Sequence, residues 1–287
     1  MIPATFDYVA PASLEEALAT LAEHGDDAKV IAGGQSLLPV LRMRLNTPEV
    51  LVDLSRVPGL AGITDAGDHL RVGAMTTYQQ LLDDPSVAEH AGVLVKAVTT
   101  VADPQIRHRG TLGGALAHAD PAGDVGAPVL ALDATMVIGG PGGAERRVPA
   151  TEFFVDLFET AVGEGEVLVA IEIPKHTGWG SAYEKFVRVA HQWAIVGVAV
   201  TARAEGGTIA EARVALTNMG STPVRAHDVE RALLGVAATA ENLRDICARV
   251  GEGTQPPSDL NGDADYRRHL AGVLTRRAVL SAVGAGA

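Results

Sequence analysis

The chain has 287 residues, 47% of them hydrophobic and 20% charged, with a formal net charge of −12. That balance belongs to a globular protein with a sizeable core rather than a disordered or fibrous one, and the acidic excess argues against nucleic acid or an anionic membrane surface as a partner. The single cysteine, Cys247, excludes an internal disulfide, an iron–sulfur cluster held by this chain alone and a structural zinc site.

In chain order, "SLEEALATLAEHG" predicts a surface helix with Ser13 as N-cap, Glu15 and Glu16 in the first turn and Gly25 as its stop. "AKVIAGG" is an apolar strand ending in glycine; a helix over "LLPVLRMRL" and a second buried strand in "EVLVDLSRV" follow. "HLRVGAMTTYQQLLDD" predicts a strand, then a helix capped by Thr76 or Thr77. The next fifty residues run from a helix through a long glycine-bearing polar loop to another helix and a strand. "GGPGGAERRVP" reads as a turn between strands, and "GEVLVAIEIP" as an apolar strand stopped by Pro174.

A domain boundary is expected near residue 177, giving domains 1–177 and 178–287, the first divided near residue 57. Beyond the boundary, two strands flank the turn Gly206–Gly207, and three helices follow, so the second domain is expected to be an antiparallel sheet backed by helices. The start of the chain has no basic stretch leading into an apolar run, and no apolar segment nears the roughly 20 residues that span a bilayer. A cytoplasmic protein without a transmembrane segment is the expectation.

Two loops could carry chemistry. In the first, Gly33, Gly34, Gln35 and Ser36 separate a strand from a helix. Backbone N–H groups at a helix start lack partners, glycine removes the Cβ atoms that would hold an anion off, and Ser36 can cap the helix or bond the same anion. A plain tight turn accounts for the same residues. The second loop, "RHRGTLGGALAHADPAGD", again pairs glycines, Gly113 and Gly114, after the Thr111 hydroxyl, and ends at Asp124.

Two such loops could clamp the two phosphates of a dinucleotide, although neither follows G-x-G-x-x-G spacing and no P-loop is present. His108 and His118 match no metal spacing and read as loop histidines. Asp124 reads as a helix cap or as an acceptor for sugar or ribityl hydroxyls, Lys185 as a solvated strand position, and Trp193 as a core anchor or a planar lid on an aromatic ring.

Taken together, "AGGQSLLP", "RGTLGGALAHADPAGD", "EVLVAIEIP", "YEKFVRVA" and "DYRRHLAGVLTRRA" resemble, in order and spacing, the FAD-binding medium subunit of the xanthine dehydrogenase and aerobic carbon monoxide dehydrogenase (molybdenum hydroxylase) family. The resemblance spans essentially the whole chain. It implies an α+β fold: an FAD-binding domain of the vanillyl-alcohol-oxidase (PCMH) type, made of two subdomains, and a C-terminal domain with a three-stranded antiparallel sheet and helices. FAD would lie in the cleft between them.

By the same likeness, the loop Ala32, Gly33, Gly34, Gln35, Ser36 with Leu37, and the loop Thr111, Leu112, Gly113, Gly114, Ala115, would hold the pyrophosphate by backbone N–H groups. Asp120 would join the cofactor site, Asp124 would bond the ribityl chain, Leu168 would touch the adenine or flavin edge, and Lys185 and Trp193 would lie beside the isoalloxazine. His108 stands where many relatives have Asn, and Val189 and Gln192 lack polar groups usual near the flavin face.

The resemblance further implies partners: a large subunit with a molybdenum–pterin cofactor and a small subunit with two [2Fe–2S] clusters, assembled as a dimer of heterotrimers, with attachment to the inner face of the membrane only through the complex. Electrons would reach FAD from the clusters and leave to a quinone or NAD⁺. No catalytic acid, nucleophile or metal ligand is expected in this chain. A stand-alone FAD-dependent oxidase and a non-enzymatic nucleotide-binding module are the competing readings.

Overall fold

The computed structural model describes residues 1–284. Three sheets carry most of the architecture, and the fold is α+β. The first sheet joins β1 (Asp7–Val9), β2 (Ala28–Ile31) and β3 (Val50–Asp53) in the order β1-β3-β2, with every pair parallel. The expected first helix, Leu14–His24, connects β1 to β2: Ser13 accepts from the Glu16 N–H, and Gly25 ends it in the left-handed region. Ala17, Leu18 and Leu21 form its buried stripe.

The second sheet is antiparallel. It takes β4 (Ile63–Asp65), β5 (His69–Gly73), β6 (Thr135–Gly139), β7 (Glu145–Pro149) and, after the short ribbon β8 (Phe154–Asp156) and β9 (Glu159–Thr160), β10 (Val167–Pro174), in the order β4-β5-β10-β6-β7. The last of these strands is thus inserted at the centre, and it is the most apolar. Thr77, not Thr76, caps the following helix Tyr78–Asp83 in a capping box with Gln80; the buried Thr76 hydroxyl instead bonds both the N–H and the carbonyl of Gly62.

The third sheet takes β11 (Gly180–Phe186), β12 (Val196–Glu205), β13 (Thr208–Thr217) and β14 (Val224–Arg225), all antiparallel. Three strands are long, and the two-residue β14 makes a fourth where three were expected. The chain emerging from Pro223 runs beside β13 just long enough to pair Arg225 with Ala215 before the helix His227–Leu233 begins. The final helix, Ala264–Ala282, lies on this sheet with Leu270, Ala271, Leu274 and Ala278 buried.

The second and third sheets meet through the helix Gly126–Ala131, all six residues of which are buried. Asp133, just beyond it, takes Arg213 and Arg225 of the third sheet at 2.9 and 2.8 Å. A helix apolar on every face must be covered on every face. Asp124 lies two residues ahead of it and so is placed at the seam.

Close backbone packing also fixes the last helix. A Cβ built on Gly180 would lie 1.6 Å from the Ala282 carbonyl oxygen. Gly180→Ala is therefore predicted to destabilise the protein by about 1–3 kcal/mol through overpacking, measured by urea unfolding; an unchanged midpoint would mean that the helix end is not held there.

Candidate functional site

The two glycine loops touch. A Cβ on Gly33 would lie 2.2 Å from the Arg109 carbonyl oxygen and 2.8 Å from the Gly110 Cα, and one on Gly114 would lie 3.2 Å from the Ala32 Cβ. Gly33 faces backbone on both counts, which no side-chain rotation can relieve. Gly34 has φ +74°, a conformation suited to glycine, and Gln35 Nε2 donates to the Gly33 carbonyl to close the turn.

The first loop presents its backbone. Among the described residues, none of the N–H groups of Gly33, Gly34, Gln35, Ser36 or Leu37 donates a hydrogen bond within the chain; the first to do so is Leu38, to Gly34. The Ser36 side chain makes no capping bond, so its hydroxyl is also uncommitted. The helix that follows, Leu37–Arg42, is shorter than expected because Arg44 turns into the left-handed region. Six residues make a weak dipole, so the attraction for an anion rests on the run of N–H groups themselves.

The second loop behaves otherwise, and this corrects the expectation of a second set of backbone donors. The N–H groups of Leu112, Gly113, Gly114 and Ala115 go to the Thr76 carbonyl, the Ala74 carbonyl, the Thr111 hydroxyl and the Thr111 carbonyl. Its glycines serve close approach: a Cβ on Gly113 would lie 2.4 Å from that of Ala74. The loop is a rigid wall against which the first loop is held open.

Asp124 neither caps a helix nor faces water. Lys185 Nζ donates to one carboxylate oxygen at 2.8 Å and the Tyr183 hydroxyl to the other at 2.8 Å. The Asp124 and Lys185 side chains are only 8% and 7% exposed, which also overturns the solvated reading of Lys185. Tyr183 and Lys185 alternate on β11 and so share a face. Burial pushes the Asp124 carboxyl above the ordinary carboxylate range, with the Lys185 ammonium opposing it. Burial, with the Asp124 charge beside it, also pushes the Tyr183 phenol well up. A second Lys185 hydrogen bond, to the Thr100 carbonyl at 3.2 Å, ties the third sheet to the turn at residues 100–103.

Beside this cluster lies a cavity of about 240 Å³ between the Asp120–Ala122 turn and the ends of the third sheet; Gln192, Trp193, Asn218, Asn261 and Arg267 also line it. Asp120 accepts from the Ala122 N–H. Trp193 is 63% exposed at this cavity, so it is not a core anchor. Arg267 is wholly buried, donating to the Ile195 carbonyl and to Asp259.

Leu168 does not join the others. It is 5% exposed, sits in the core of the second sheet and pairs with Ile138, so a side-chain contact to a ligand edge is not what its position provides. His108 bonds the Pro104 carbonyl, His118 packs on Phe158, and no metal-binding cluster exists among the described residues. The Cys247 thiol is buried and pushed up to about 12, far from nucleophilic use.

Sequence reading missed Tyr183 and Arg267, although each left a signal. Tyr183 stands two residues from Lys185 on a strand, and Arg267 falls on the apolar stripe of its own helix, at i, i+3, i+4 and i+7 with Leu270, Ala271 and Leu274.

The family described as "FAD binding domain in molybdopterin dehydrogenase" matches residues 4–176, and that described as "CO dehydrogenase flavoprotein C-terminal domain" matches residues 181–282. The chain belongs to the FAD-binding subunits of the molybdopterin dehydrogenases. It is 42% identical to the carbon monoxide dehydrogenase medium chain of Hydrogenophaga pseudoflava over 98% of each chain. A solved carbon monoxide dehydrogenase from the same organism, in a form lacking the Mo-pyranopterin moiety, contains a chain superposing with TM-score 0.96 at 43% identity over 100% of both. Quinoline 2-oxidoreductase from Pseudomonas putida 86 gives TM-score 0.93 at 37% identity, again over 100% of both chains.

The family is that of an FAD subunit within a molybdenum enzyme complex of the carbon monoxide and xanthine dehydrogenase type. The chain's own residues fit such a cofactor: a pyrophosphate needs donors at close range, and the first loop offers five uncommitted N–H groups where a Cβ would intrude.

The buried pair gives a direct test. Lys185→Met leaves Asp124 buried without its counter-charge and is predicted to cost about 3–5 kcal/mol. Asp124→Asn combined with Lys185→Met should cost far less than the sum of the single changes, read by urea unfolding. Additive costs would mean that the two groups do not act as a pair.

Proposed function

We propose that this chain is the electron-collecting flavin subunit of a molybdenum hydroxylase, standing between a small iron–sulfur subunit and an external acceptor, quinone or NAD⁺. The observation that carries the reading is the open run of backbone donors at Gly33–Leu37, braced by direct contact with the Arg109–Gly110 backbone. FAD, when bound, supplies the redox chemistry by taking electrons singly and releasing them in pairs. The protein's share is then position and electrostatics.

In this reading Ala32–Leu37 grip the pyrophosphate by main-chain N–H groups, while Thr111–Ala115 shape the opposite wall. Asp124 keeps lone pairs for a ribityl hydroxyl beside those used by Lys185 and Tyr183, and Lys185 sets a positive charge at the seam. Asp120 and Trp193, on two sides of one cavity, would flank the flavin ring. The Leu168 strand would contribute backbone only. The division of the first domain into two subdomains of the vanillyl-alcohol-oxidase type, about 1–57 and 58–177, belongs to the same reading, as does a dimer of heterotrimers in the cytoplasm.

No helix among the described residues is long and apolar enough to cross a membrane, so any membrane association would come through the complex. Relatives of the same fold are named for carbon monoxide and for quinoline, so this chain's fold does not select the substrate of the large subunit.

Purification from the native host is expected to yield this chain with two partners, molybdenum, iron and one FAD per chain. Turnover of a substrate by this chain alone, or a preparation without flavin, would overturn the reading. At the loop, Gly33→Ala and Gly34→Val are each predicted to lower FAD affinity by roughly tenfold or more, about 1.4 kcal/mol or greater. Wild-type flavin content at dilute FAD in both variants would contradict the grip by Gly33–Leu37.

A further inference from the structure

Trp193 rides on the nine-residue connection between β11 and β12, closed at its base by the Ile195 N–H donating to the Phe186 carbonyl. Residues 188–193 are all exposed, and nothing in the composition of "RVAHQW" would hold such a loop against the first domain. One bond does so: His191 Nδ1–H donates to the Ala102 carbonyl at 2.5 Å, the only side-chain hydrogen bond from residues 187–194 to the first domain among the described residues.

Both ends of that bond are strained. His191 has φ +68° and Ala102 φ +38°, and neither is glycine. Such conformations persist only where surrounding contacts enforce them. The turn bearing Ala102 is fixed from three directions: Lys185 donates to the Thr100 carbonyl, Arg107 to the Val101 carbonyl, and His191 to the Ala102 carbonyl. Lys185 and Arg107 thus hold one anchor of the bond independently of His191, and the other anchor belongs to a loop with no second side-chain hydrogen bond to the first domain among the described residues.

We propose that His191 is a positioning residue: by latching onto Ala102 it closes the β11–β12 loop across the domain seam and sets the Trp193 ring against the cofactor cleft. The inference rests on the reading that FAD occupies that cleft. The latch is a bond within the chain, so the two can be tested apart.

The test uses the full chain with Trp179→Phe, leaving Trp193 as the sole tryptophan, with and without His191→Gly. Glycine accepts the left-handed backbone freely, so the variant removes the bond without adding strain. His191→Asn, which also tolerates that conformation and keeps an N–H donor, serves as the rescue. In the FAD-loaded protein, His191→Gly is expected to release the flavin quenching of Trp193 emission while flavin content per chain is unchanged, with partial recovery in His191→Asn.

Amide exchange over residues 187–194, followed by mass spectrometry with and without FAD, is expected to be roughly three- to tenfold faster in His191→Gly, the range that loss of one ordinary hydrogen bond allows. Unchanged exchange overturns the latch whether or not flavin is bound. Faster exchange with unchanged Trp193 emission in a flavin-loaded sample overturns the positioning of Trp193, and failure of every variant and the parent to take up FAD sinks the flavin reading while leaving the latch to the exchange result.

Discussion

Everything at this site depends on two backbones meeting with no side chain between them. Gly33 lies so close to the Arg109 carbonyl that a single methyl group would separate the loops. The contact has a chemical consequence: with its flank braced, the turn at Gly33–Leu37 need not fold its N–H groups back on itself, and they are left without partners in the chain. A run of N–H groups without partners in the chain can accept an anion, which is the property the proposed cofactor grip requires. The second loop makes the opposite choice, consuming its own donors to stay rigid.

A second constraint fixes how the two halves of the chain meet. Asp124 from one side and Lys185 with Tyr183 from the other form a buried polar cluster, and Asp133 takes two arginines from the third sheet nearby. The Asp124 and Lys185 charges, both deep, stabilise little in net terms but tolerate only one arrangement, since any displacement leaves one of them buried alone. The seam is thus set by electrostatic geometry on top of the apolar contact made by the buried helix Gly126–Ala131. The cavity bordered by Trp193 and Asp120 lies along the same seam.

Much of this was legible in the residues, because the signals are local. The first helix with Ser13 and Gly25, the hairpin at Gly206–Gly207 and the terminal helix all follow from caps, turn residues and periodicity. The glycine pairs marked both loops. What could not be read was which loop would keep its donors free, because that depends on the carbonyls of Thr76 and Ala74, distant in sequence and brought beside Leu112 and Gly113 only by the fold.

The burial of Lys185 was illegible for the same reason: strand alternation shows which residues share a face, not which face is covered by another domain. The short β14 and the central insertion of β10 are likewise products of tertiary pairing.

The most direct test of the account is residue-resolved amide exchange of the whole chain before and after addition of FAD. Protection is predicted to rise at Gly33, Gly34, Gln35, Ser36 and Leu37, with little change at Leu112–Ala115, whose N–H groups already have partners. Protection confined to the second loop, or absent from the first, would contradict it.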